Sequence, residues 1–112
     1  MEKDIKKILE NLIAEEEQNL NDMQITLSGL TDEWIRYRWK DLAYKRKSSK
    51  SRTPYEAVIH KKGAEINELE DNIDNKKAEI DDLKAILHLP AKTIKEHIAL
   101  IKSELSGIDE YL

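Results

Sequence analysis

Between Arg36 and Arg52 the chain places eight basic side chains, Arg36, Arg38, Lys40, Lys45, Arg46, Lys47, Lys50 and Arg52, against a single acid, Asp41. Clustered ammonium and guanidinium groups neutralise phosphates and release the counterions condensed on a nucleic acid. Rings accompany them. Trp34, Tyr37, Trp39, Tyr44 and Tyr55 lie in or beside the stretch, and only Tyr111 lies elsewhere. Aromatic faces stack on exposed bases with little regard to sequence. Ser48, Ser49, Ser51 and Thr53 add hydroxyl groups suited to phosphate oxygens. The chemistry on offer is therefore non-covalent contact with nucleic acid or with a nucleic-acid-binding protein. Trp34 and Tyr37 fall in phase with an apolar helical stripe, which assigns them to packing. Trp39 is off that stripe and is the better contact residue. The competing reading is a solvated turn whose cations pair with acids on a neighbouring helix.

Outside residues 36–52 the balance reverses, with 11 positive and 22 negative side chains. Glu65, Glu68, Asp71 and Asp74 form the clearest acidic row, and Glu15 to Glu17 form another cluster. An ordered row of carboxylates can imitate phosphates and occupy a basic groove on another protein. That gives a second functional reading, a small protein-binding inhibitor or adaptor. The plainer reading is that these acids are the polar flanks of packed helices.

Nothing in the chain points to catalysis or to a cofactor. Cysteine is absent, so there is no thiolate nucleophile, no disulfide and no Cys-based zinc site. His60, His88 and His97 make no i, i+4 pair and have no metal-ligand spacing. Phosphate-cradling loops need several glycines at a strand-to-helix junction, and the chain has three glycines in all. Ser48 and Ser51 lie in an expected turn, a poor place to orient a nucleophile and its base. The expectation is a protein that is not an enzyme, has no apolar run long enough to span a membrane, carries no secretory leader and works in the cytoplasm.

The elements that must position the basic stretch follow from periodicity. Leu9, Ile13, Leu20, Met23, Leu27, Leu30, Trp34 and Tyr37 keep heptad phase, with Glu16 at the missing position. They predict a helix over about 3–47. Gly29 could break it, with a second helix capped by Thr31, and MQITL could instead alternate as a short strand. After a basic turn at about 48–53, Thr53-Pro54-Tyr55-Glu56 reads as a capped helix start. Tyr55, Ile59, Ile66, Leu69, Ile73, Ile80, Leu83 and Leu87 then form a second seam, with Lys62 and Lys76 at its gaps. That predicts a helix over about 54–89, roughly 50 Å long. Gly63 within it implies fraying or close packing. Beyond Pro90, Ile94, Ile98, Ile101, Leu105, Ile108 and Leu112 predict a helix over about 93–110, begun by a capping box at Thr93 or by Pro90 itself.

Each stripe must be covered, and short connections favour antiparallel neighbours. With 38% charged and 39% hydrophobic residues, the composition suits long helices with narrow seams. The expected fold is all-α: an antiparallel long-helix hairpin in one helical domain over 1–112, with a third C-terminal helix packed at its base. That helix would cover residues 5–28 and 70–89, leaving 31–70 as a two-helix arm with the basic turn at its tip. The lysines in the second seam argue that the arm is not sealed on all sides, so a second copy of the chain could cover it as a homodimer.

Overall fold

The computed structural model describes residues 2–48 and 53–111, with side chains described over 4–48 and 53–101 and at Ser103. Three helices account for it: α1, Glu2–Lys47; α2, Glu56–Leu87; and α3, Ala91–Tyr111. Among the described residues there is no strand, so MQITL is helical. The fold is all-α, and none of its helices is long and apolar enough to cross a membrane.

The helix α1 runs unbroken through Gly29, contrary to the break considered above. Gly29 does not take a positive φ, and a Cβ placed there would meet nothing within 4 Å. A glycine costs a helix interior about 1 kcal/mol. The seam from Met23 to Trp34 continues past it without a phase change, and packing outweighs that local cost. Thr26, rather than starting a new element, donates its hydroxyl to the Asp22 carbonyl 3.0 Å away, one turn back.

The turn between α1 and α2 is closed by Thr53. Its hydroxyl oxygen accepts the Tyr55 N–H at 3.3 Å and its hydroxyl donates to Asp41 on α1. Thr53 is thus the N-cap, as its sequence context implies. The helix α2 ends at Leu87, two residues short of expectation, because the His88 and Leu89 amides tighten onto Ala85 and Ile86 at 3.2 and 3.0 Å. The Ile94 amide then donates to the Pro90 carbonyl at 3.0 Å. Pro90, not Thr93, therefore opens α3, and Thr93 sits inside the first turn.

The chain divides into two units, Met1–Asn19 with Lys76–Leu112, and Leu20–Asn75. In the first unit all three helices contribute to a core. Leu9 and Ile94 are fully buried, Ile13 and Leu83 join them, and Ile5, Leu12, Ile86, Leu87, Ile98 and Ile101 pack around the cluster. The contacts of the described part of α3 fall within the expected 5–28 and 70–89. The described α3 stripe runs from Ile94 to Ile101, roughly 10 Å of helix, and it meets Ile5 to Ile13 and Leu83 to Leu87. Leu105, Ile108 and Leu112 belong to the same expected stripe, and their side chains lie outside the described residues.

The second unit is built by α1 and α2 alone. Contacts there climb one helix as they descend the other: Glu33 with Lys62, Tyr37 with Tyr55, and Asp41 with Thr53. The pairing is antiparallel. Only Ile66 and Ile73 are buried in this unit among the described residues. The rest of its seam, including Met23, Leu27, Leu30, Trp34 and Leu69, is half-buried. A two-helix interface leaves each seam residue one open side.

Candidate functional site

The basic stretch occupies the last three turns of α1 and the turn that follows. Residues three and four apart share a helix face, and this sorts the cations into distinct surroundings. Arg36 pairs with Asp32 at 2.9 Å, and Lys45 pairs with Asp41 at 3.1 Å, each one turn back. Arg38 lies over the Trp34 ring, 4.7 Å from its centroid, and Lys40 lies 5.0 Å from the centroid of Tyr37. Such cation–π contacts leave the charge at the surface. Arg46 and Lys47 are exposed and have no ion pair among the described residues. Lys50 and Arg52, with Ser49 and Ser51, lie outside the described residues.

Asp41, the one acid in the stretch, is fully engaged. It accepts from Thr53 and from Lys45, and these bonds hold its carboxyl below the ordinary value of 3.8. It therefore ties α1 to Thr53 at the start of α2.

The rings divide as their heptad phase dictates. Trp34 and Tyr37 are half-buried on the seam. Tyr37 tilts against Tyr55 across the helix pair, with centroids 6.2 Å apart. A Cβ on Gly63 would stand 3.5 Å from the Trp34 indole nitrogen, so Gly63 marks close packing rather than fraying. Tyr44 and Tyr55 do more than the sequence suggested. With Lys40, Ala43 and Lys47 they line a recess of about 230 Å³ at the turn. Two lysines and two tyrosines thus border one small, open space, with the Lys40 ammonium over the neighbouring Tyr37 ring. Sequence spacing shows Lys40, Tyr44 and Lys47 as one face of α1, but Tyr55 joins only when α2 folds back.

Trp39 is exposed, at 66% of its full surface, as its off-seam position implies. Its neighbours are mixed, one guanidinium and two aliphatic side chains. Ile35 and Leu42 flank it, also exposed, and with Arg38 the three line a shallow groove of about 220 Å³. Ile35, Trp39 and Leu42 stand at i, i+4 and i+7, a second apolar stripe on the side of α1 away from the seam.

The two seam lysines each find an acid. Lys62 bonds Glu33 at 2.6 Å, and Lys76, half-buried, bonds Glu16 and lies 3.3 Å from Glu79. Both amines are held above the ordinary value of 10.5, first by these hydrogen bonds and against the opposing effect of burial. Glu33 is correspondingly lowered from 4.5 by Lys62. Glu16 and Lys76, the polar interruptions of two different seams, thus interrupt them at the same place and satisfy each other.

Glu65, Glu68, Asp71 and Asp74 are all exposed along α2, roughly 15 to 28 Å along the helix from Tyr55. None forms an ion pair among the described residues, although Glu65 contributes to the field that raises Lys62. The structure does not bring this row to the basic turn. His60 and His88 are exposed and His97 is half-buried, and among the described residues no three His, Asp or Glu side chains converge as metal ligands would. Among the described residues of the first unit, a groove of about 420 Å³ is lined by Leu83, Ile86, Leu100 and Ile101 together with Glu16, Glu79 and Asp82. A scan of protein-family models and searches of curated proteins and of solved structures find no match to this chain.

Proposed function

We propose that this protein is a non-enzymatic binding module whose basic, tyrosine-flanked helical turn contacts nucleic acid or a nucleoprotein. The observation that carries the reading is the recess in which Lys40, Lys47, Tyr44 and Tyr55 meet, beside the unpaired Arg46. A phosphate there would meet two ammonium groups, and an unstacked base would meet a phenol face. Lys45, Lys50 and Arg52 add to the surrounding positive field. Arg36 and Arg38 stand farther along α1, beside Trp39, Ile35 and Leu42.

The test is the salt dependence of binding to a short oligonucleotide. If about five phosphates are neutralised on a duplex, log affinity falls against log salt with a slope near −4 to −5. Replacing Lys45, Arg46 and Lys47 together with Ala should flatten that slope by about three contacts while helicity is retained. Binding indifferent to salt, or unchanged in the triple variant, would sink the reading.

The unpaired row of Glu65, Glu68, Asp71 and Asp74 supports a second reading, in which a basic protein partner is captured through α2. Charge reversal at Glu68, Asp71 and Asp74 should then abolish capture of a partner that survives nuclease treatment, with Lys45, Arg46 and Lys47 dispensable.

A further inference from the structure

Two exposed apolar surfaces on this molecule carry opposite charge. One is the Ile35, Trp39, Leu42 stripe of α1, bordered by Arg36, Arg38 and Arg46. The other is the groove of the first unit, lined by apolar side chains such as Leu83 and Leu100 and by Asp82, Glu16 and Glu79, the last two already paired with Lys76. Leu100 is 56% exposed among the described residues. We propose that a second copy of the chain seats its Ile35–Trp39–Leu42 face in this groove.

Three physical matches support that occupant over others. The first is charge. An acid-edged groove repels nucleic acid and disfavours acidic helices, and it suits an apolar face carrying arginines. Asp82 has no ion pair among the described residues, so a partner's cation need not displace one of the chain's own. Arg36 is held only by an exposed pair one turn back, a contact worth a few tenths of a kcal/mol and readily exchanged.

The second match is length. Ile35 to Leu42 spans seven residues of helix, roughly 10 Å, and Glu79 to Ile86 along the groove spans the same. The third is chemistry. Ile35 and Leu42 have nothing to offer a phosphate or a base edge, but they can fill a space lined by Leu and Ile. Trp39 between them has the size and position of an interface anchor. Pairing the stripe with the same stripe on another copy is disfavoured, because it sets Arg36 and Arg38 against their like. The contact shares Arg46 with the nucleic-acid reading and leaves Lys40, Lys47, Tyr44 and Tyr55 uncovered.

The test is light scattering of the nuclease-treated 112-residue chain from low micromolar to near-millimolar concentration. The average mass should rise above the monomer's 13.1 kDa as concentration increases. Trp39→Ala should weaken association by roughly tenfold or more, with the helical circular dichroism unchanged. Arg38→Glu and Asp82→Lys should each abolish self-association at concentrations where the wild type associates. Mixed together, the two variants should associate with each other, because each then offers the charge that the other's surface lacks. A mass fixed at 13.1 kDa overturns the proposal. So does association that survives Trp39→Ala, or two variants that remain monomeric when mixed. If Trp39→Ala instead weakens oligonucleotide binding in a protein that stays monomeric, the stripe belongs to the nucleic-acid site and the groove lacks this occupant.

Discussion

The two units of this chain use the same heptad spacing to different ends. Of the seven buried apolar side chains among the described residues, five lie in the unit that α3 joins and two, Ile66 and Ile73, in the unit built by α1 and α2 alone. The third helix lets Leu9 and Ile94 be wrapped on all sides. Without it, the seam from Leu20 to Tyr44 stays half-open, and its closing contacts are mixed: an indole over a glycine, a lysine bridging Glu33 and the Tyr37 ring, and a threonine bound to Asp41. The lesson is that the unit with the poorer core presents the richer surface. Its cations are spent in exposed ion pairs and over rings rather than in burial.

That contrast can be broken most forcefully at Leu9. Leu9→Ala removes a fully buried side chain where three helices meet and should cost about 2–5 kcal/mol in chemical denaturation. Ile66→Ala, against a single neighbouring helix, should fall at the low end of that range, because water and adjacent side chains can relax into the gap. Hydrogen exchange should agree, with the slowest amides near Leu9, Leu83 and Ile94 rather than near Ile66. Equal costs would show that the half-open seam is covered in solution.

Thr53 is the next most sensitive point, and it belongs to the less buried unit. Thr53→Ala removes both the cap on α2 and the bond to Asp41, and should cost about 1–2 kcal/mol. Thr53→Ser keeps both hydroxyl roles and should recover most of the loss. If Ser does not rescue, the methyl group rather than the oxygen is what the turn needs.

A smaller and opposite effect is expected at Gly63. A Cβ there would meet the Trp34 indole at 3.5 Å, an ordinary contact, so Gly63→Ala should fit without displacement. The helix gains about 1 kcal/mol from the change in propensity. A raised midpoint with unchanged Trp fluorescence would confirm the fit, and a lowered one would mean that the indole sits closer than this.

Much of the architecture was legible in the sequence because the seams are long and regular. Leu9 to Tyr37 and Tyr55 to Leu87 each hold phase over many turns, which fixes helix, length and buried face together. Their gaps were legible too, but not their partners. Glu16 and Lys76 stand 60 residues apart, and only the register of two folded helices sets one against the other. The recess at Tyr44 and Tyr55 was hidden for the same reason. The Ile35, Trp39, Leu42 stripe had no such excuse: it is a plain i, i+4, i+7 pattern, obscured by the stronger stripe through Trp34 and Tyr37. The place where α3 packs was legible as well, since Ile94, Ile98 and Ile101 keep the phase that sets them against Leu9 and Leu83.

Acidity offers the finest probe of the contrast, since it acts on the less buried unit through named carboxylates. Asp41 is held below its ordinary 3.8 by Thr53 and Lys45, and Glu33 below 4.5 by Lys62. A carboxylate whose folded pKa is depressed stabilises the fold above its unfolded pKa and loses that contribution as pH falls through the folded value. The raised amines of Lys62 and Lys76 behave oppositely. Their contribution is present below 10.5 and is lost only as pH climbs through the elevated values, far into base. Between neutral pH and strong acid, therefore, Asp41 and Glu33 lose their contribution to the two-helix unit. Wild type should melt above Asp41→Asn at neutral pH, and the gap should close as pH falls below 3.8. A gap that stays constant across this range would mean that Thr53 and Lys45 hold the Asp41 side chain by its shape and not by its charge, and the two units would then differ in burial alone.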